Sequence, residues 1–141
     1  MPNTDPAFVR DLTDDKIEAL VEMMYLAATA DGSLDEPERV AFHAHAERLT
    51  ASVVTGARLE ALLARIAAAV ETEGRDARLE GVKARLPDAS ARRLALALAI
   101  QISAADGVVR TSERELVMET AAALEIDGDT AADMMRDLTR R

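Results

Sequence analysis

Five glycines, Gly32, Gly56, Gly74, Gly107 and Gly128, fall between segments in which apolar residues recur at helical spacing. Glycine is where a chain most easily leaves a helix, and an apolar repeat every three to four residues lets a helix bury one side. The alternation therefore predicts short helices separated by turns. Composition limits what those helices can pack with. Aromatics are 2% of the 141 residues and apolar residues 49%, so the core has to be built from Ala, Leu, Val, Ile and Met. Alanine loses no side-chain entropy in a helix, whereas strands draw on β-branched and aromatic residues. The expected fold class is all-α.

Seven helices follow from the periodicity. The first runs from about Asp14 to Thr29, with Thr13 as N-cap and an apolar stripe of Ile17, Leu20, Val21, Met24 and Ala28. The second covers 36–49 and the third 57–73, where Leu59, Leu62, Leu63, Ile66 and Val70 keep the i, i+3, i+4, i+7 pattern. The fourth, 76–85, ends before Pro87. The fifth starts near Asp88 and reaches Ala104, the sixth covers 112–124, and the seventh, 130–139, follows the turn "DGD" at 127–129. In the fifth, "LALALAIQI" (94–102) alternates with period two, as a strand does. Ala, Leu and Gln are good helix formers, however, and no second strand exists to pair with it. Wound as a helix, it carries Leu94, Leu98 and Ile102 on one face and Leu96 and Ile100 on the other, which describes a central helix buried on both sides.

The chain repeats itself at a shift of 75 residues. Asp31 aligns with Asp106, Gly32 with Gly107, Glu38 with Glu113, Phe42 with Val117, Ala46 with Ala121 and Leu49 with Leu124. Residues 30–49 share seven identities with 105–124, and the apolar stripes fall in phase. Helices one–two and five–six are therefore expected to form two duplicated hairpins related by a pseudo-two-fold axis. Helices three and four would bridge them, and helix seven would close the end. Residues 1–12 read as an N-terminal tail and 13–141 as a single domain.

Charge narrows the partners. The formal net charge is −9, which repels nucleic acid and anionic lipid surfaces. Arg58, Arg65, Arg75, Arg78, Lys83, Arg85, Arg92 and Arg93 make the middle of the chain comparatively basic; these read as a solvated helix face. There is no cysteine, so disulfides, thiolate metal sites and thiol redox chemistry are excluded. The first residues lack the basic and apolar regions of a signal peptide, and no apolar run is long enough to cross a bilayer. The expectation is a soluble cytoplasmic protein with no direct membrane insertion.

Two segments carry the functional question, "ADGSLDEPER" (30–39) and "ADGVVRTSER" (105–114). Each holds an aspartate, a glycine and a glutamate in the register of the second half of a calcium-binding loop. With Gly32 at position 6, Glu38 takes position 12, but positions 1 and 3 become Ala27 and Thr29. In the second box they become Ile102 and Ala104. Neither is a standard EF-hand. A structural reading covers much of the pattern: the glycines end one helix, and Asp35 with Glu38 makes a capping box for the next. It leaves Asp31 and Asp106 at helix C-termini, where negative charge is disfavoured. Asp31, Glu38, Asp106 and Glu113 are therefore the candidate metal ligands. Their oxygen-only donor set points to Ca²⁺ or Mg²⁺.

No other constellation carries chemistry. His43 and His45 are two apart on a helix and point to different sides. Met23–Met24 and Met134–Met135 read as core. No nucleophile–base set or phosphate-binding glycine loop occurs, so no catalytic or cofactor-binding residue is named.

The paired "ADG" turns, Ala30-Asp31-Gly32 with Glu38 and Ala105-Asp106-Gly107 with Glu113, lie in an all-helical chain of this length. In this the sequence resembles the TerB family, linked to tellurite resistance and related to the N-terminal domain of DnaJ-like co-chaperones. The resemblance covers about residues 13–139. It implies a fold of about seven helices and acidic residues on one surface that bind a metal ion or a partner. It also implies a non-enzymatic role in stress response, around a protein partner that can be membrane-associated. The second box departs from an acid-rich pattern at Arg110. The reading is a TerB-like tellurite-resistance protein whose acidic surface binds a divalent cation, a protein partner or both; the alternative is a helical adaptor whose Asp-Gly boxes are purely structural.

Overall fold

The computed structural model describes residues 13–29, 35–50, 55–103 and 111–139, without the side chains of Leu49, Ser103, Thr111, Ser112, Glu113 and Thr139. These residues form seven α-helices: α1 (Asp14–Ala28), α2 (Glu36–Leu49), α3 (Gly56–Glu73), α4 (Arg75–Arg85), α5 (Ala89–Ser103), α6 (Thr111–Ala123) and α7 (Gly128–Thr139). No strand occurs among the described residues. Every helix boundary falls within two residues of its expected place.

Local chemistry accounts for the ends. Thr13 Oγ1 accepts the Lys16 N–H at 3.5 Å, and Asp14 and Asp15 fill the first turn of α1, where the helix dipole favours negative charge. Gly74, at φ +87°, both ends α3 and starts α4, a backbone conformation that side chains resist. The α3 N-terminus is capped from a distance: Thr55 makes no side-chain cap, and the Glu47 carboxylate of α2 accepts the Gly56 N–H at 2.9 Å. Helix α6 ends in a Schellman motif. Ile126 N–H donates to Ala121 O at 2.8 Å and Glu125 N–H to Ala122 O at 3.0 Å. Glu125 holds the left-handed position at φ +61°, where glycine is the usual occupant.

Helices α1 and α5 form the most extensive contact and make the centre of the molecule. Helices α3 and α4 pack on α1, α6 and α7 pack on α5, and α2 lies against both central helices. Every residue from Leu94 to Ile100 is buried, as is Ile102. The period-two run is therefore a helix covered on both sides, because neighbours on either side of α5 leave no wet face for the polar half of an amphipathic pattern. The methionine pairs Met23–Met24 and Met134–Met135 are core.

Helix α1 departs from its expected single stripe. Ala19, Glu22, Met23 and Leu26 are buried beside Ile17, Leu20, Val21 and Met24, while Ala28 is only half-buried. The cause is that α3 and α4 cover further faces of α1 besides the one turned to α5. The positions aligned by the 75-residue shift agree in burial, Phe42 with Val117 and Ala46 with Ala121.

Candidate functional site

The first turn of α2 is acidic and exposed. Glu38 N–H donates to Asp35 Oδ1 at 2.9 Å and Asp35 N–H donates to Glu38 Oε1 at 2.9 Å, a reciprocal capping box with Pro37 in the first turn. Beside it, Arg39 donates to Glu36 at 2.8 Å and to Glu60 of α3 at 2.7 Å. The Arg39 guanidinium holds the Glu36 carboxyl below its ordinary range, first through the hydrogen bond and then through charge. Glu36 and Glu60 are thus matched by a cation. Asp35 and Glu38 are not: each has one carboxylate oxygen in the capping box, and the other makes no hydrogen bond among the described residues. These are hard oxygen donors open to solvent, the kind that suits Ca²⁺ or Mg²⁺. No three His, Asp or Glu side chains among the described residues gather to hold a metal.

The four candidate ligands separate accordingly. Glu38 lies in the first turn of α2, and Glu113 lies on α6 with its side chain outside the described residues. Asp31 and Asp106, with Gly32 and Gly107, lie outside them altogether.

The other side of the first box is the end of α1. No basic residue stands in its last turn. Instead Arg75, the first residue of α4, reaches it: Nη2 donates to the Leu26 carbonyl and Nη1 to Thr29 Oγ1 at 3.1 Å. Thr29 Oγ1 in turn donates to Tyr25 O at 2.8 Å. Burial pushes the Arg75 pKa down, against the nearby Asp76 and Tyr25. None of its hydrogen bonds goes to a carboxylate. The positive charge that a helix C-terminus favours is therefore supplied from α4.

Below this point Glu22, 1% exposed, is gripped by α4. Arg78 binds it through two parallel hydrogen bonds, Nε to Oε2 at 2.6 Å and Nη2 to Oε1 at 2.8 Å, and Arg85 Nη2 donates to Oε1 as well. Arg78 and Arg85 are seven residues apart on α4, which places them on one face. Arg92 of α5 donates to Leu86 O at 2.6 Å and to Glu125 Oε1 at 3.2 Å. The basic middle of the chain is thus not simply a solvated face. Arg75, Arg78, Arg85 and Arg92 are tied to helix ends and buried acid, because α4 offers the core little apolar surface, with Val82 fully buried and Leu79 partly so. One signal was present in the sequence: Glu22 is a lone carboxylate in the run "ALVEMMYLAA".

His43 and His45 do point apart. His43 Nε2 lies 3.1 Å from Glu60 Oε1, out of line for a hydrogen bond, while His45 Nδ1 faces Arg48 Nη2 at 3.0 Å. Burial and then the Arg48 charge push the His45 pKa down. No described helix is long and apolar enough to cross a membrane.

Against known families, the one described as tellurite resistance protein TerB matches residues 18–136. Comparison with curated proteins and with solved structures returned no match.

Proposed function

Because the chain belongs to the tellurite resistance protein TerB family, we propose that it is a non-enzymatic, cytoplasmic stress-response protein acting through the acidic surface at the start of α2. There it binds a divalent cation, Ca²⁺ or Mg²⁺, a protein partner that can be membrane-associated, or both. The observation that supports this is the pair of exposed carboxylates, Asp35 and Glu38, each with an oxygen left over from the capping box. Asp31 is the donor expected beside them, and Asp106 with Glu113 forms the second, less acidic box. Chemistry on tellurite by thiols of this chain is excluded, since it has none.

A second reading has its own support. The capping box accounts for Glu38, and Arg75 supplies the charge that the end of α1 favours, so the first box can be a structural turn in a helical adaptor. Thermal unfolding of the chelator-stripped protein with Ca²⁺, Mg²⁺, Mn²⁺ or Zn²⁺ separates the two. Glu38→Gln is the right control, because glutamine also serves at the third position of a capping box while removing the charge. A bound cation at about a hundred times its Kd adds roughly 2.7 kcal/mol. That gain should vanish in Glu38→Gln, or in Glu113→Gln if the second box holds the ion. No gain with any cation would leave the adaptor reading, and the partner would be sought by affinity capture on the intact protein.

A further inference from the structure

We propose that the outward face of α2 docks a second copy of this chain, the two helices lying antiparallel across a two-fold axis. The proposal goes beyond the cation-binding reading and does not rest on it. Pro37, Val40, Ala41, Ala44 and Arg48 keep the i, i+3, i+4, i+7, i+11 spacing of one helix face, and all are exposed. Phe42 and Ala46 are buried on the opposite face. Helix α2 is thus apolar on both sides, although only one side meets the core. A helix apolar all round is normally covered all round. Val40, at 59%, is the most exposed large apolar side chain among the described residues. The charges at the two ends of the face say what fits it. At the N-terminal end Asp35 and Glu38 have no cation partner, and at the C-terminal end Arg48 has no carboxylate partner, among the described residues. Arg48 Nη2 donates instead to His45 Nδ1 at 3.0 Å. His45 lies two turns beyond Glu38, so this bond holds the guanidinium on the Glu38 flank of the face. A two-fold axis across antiparallel helices brings the same flank of each copy together, one end against the opposite end. Glu38 of each copy then meets the partner's Arg48, Val40 lies on the partner's Ala44, and the helix dipoles oppose. Parallel helices would set Glu38 against Glu38. The face is complementary to itself, which makes a second copy its occupant.

One helix face per copy makes a small interface, so the association is expected to be weak and concentration-dependent. The experiment is sedimentation velocity of the intact protein in chelator from about 10 µM to about 1 mM, the range in which an interface of this size assembles. The parent should pass from monomer toward dimer across that range. Ala44→Glu sets an unpaired charge at the centre of the face, and Arg48→Glu sets like charges together. Each should weaken the dimer roughly ten-fold or more. Melting curves show that both variants remain folded. The parent has no cysteine, so a single introduced thiol can form a disulfide only with its counterpart in another copy. Ala44→Cys, close to the axis, should cross-link on mild oxidation, whereas Ala68→Cys, exposed on α3, should not. A parent that stays monomeric to the top of the range overturns the proposal and leaves the face to a protein of another kind. A dimer that both charge substitutions leave intact overturns it too, as does Ala68→Cys linking as fast as Ala44→Cys. Chelator is present throughout, so none of these outcomes decides the cation reading.

Discussion

At the seam between α1 and α4 one carboxylate, Glu22, takes hydrogen bonds from two arginines. Removing one partner of a buried ion pair leaves the other charges without compensation, which is worse than never having had the pair. Glu22→Gln is therefore expected to lower stability by about 3 kcal/mol, the low end of the usual range because Arg78 and Arg85 keep some contact with water. A Glu22→Leu/Arg78→Leu double variant should recover much of that loss, and urea unfolding of the three proteins measures both effects. The pairing was half legible in the sequence. A lone glutamate inside an apolar run marks a buried carboxylate, but nothing local says that its partners lie 56 and 63 residues further on. Glu38 is the converse: its capping role follows from the spacing of "DEPE" alone, since both partners sit in one turn.

At the scale of elements, ionic contacts at helix ends hold α4 to its neighbours. Glu125, just past α6, accepts from Lys83 of α4 at 3.0 Å and from Arg92 of α5 at 3.2 Å. The Lys83 hydrogen bond and charge, then Arg92, hold its carboxyl below the ordinary value of 4.5. A carboxyl whose folded pKa is depressed adds stability that is present above the unfolded pKa and is lost as pH falls through the folded one. Glu125 therefore stabilises the junction near neutrality, begins to lose that contribution below about pH 4.5, and has lost it once the pH is below its lower, folded-state pKa. Glu125→Gln should unfold at a lower temperature than the parent at pH 7, and the two should converge as pH drops toward 3. Melting curves across that range check it; a difference that stays constant with pH would overturn the assignment. The same junction shows where turn reading from sequence stops. "LEIDGD" points to glycine as the end of α6, yet the left-handed residue is Glu125 and Gly128 begins α7.

For the whole molecule, the scarcity of aromatics sets how closely the helices approach. The central pair is packed with alanines, Ala19 on α1 and Ala91, Ala95, Ala97 and Ala99 on α5, between leucines and methionines. Such a core is filled by close backbone approach, so it tolerates added volume badly. Ala97→Leu is expected to lower stability by about 1–3 kcal/mol, read as a lower denaturant midpoint with an unchanged slope. Among the described residues one ring pair meets, Tyr25 against Phe42 at 6.2 Å in an edge-to-face arrangement, and it seats α2 on α1.

The amino-acid sequence by itself determined the helices, their order and the buried faces of α3 and α5: α3 kept its stripe of Leu59, Leu62, Leu63 and Ile66, and α5 is buried on all sides from Leu94 to Ile100. Those properties depend on spacing within one turn or two, where the physics is local. The tertiary structure alone decided that Arg75 of α4 lies on the end of α1, that Arg78 and Arg85 enclose Glu22, and that Glu47 of α2 caps α3. Charged side chains of similar composition look alike in sequence. Which of them lose water and meet a partner is fixed only when helices far apart in the chain come together.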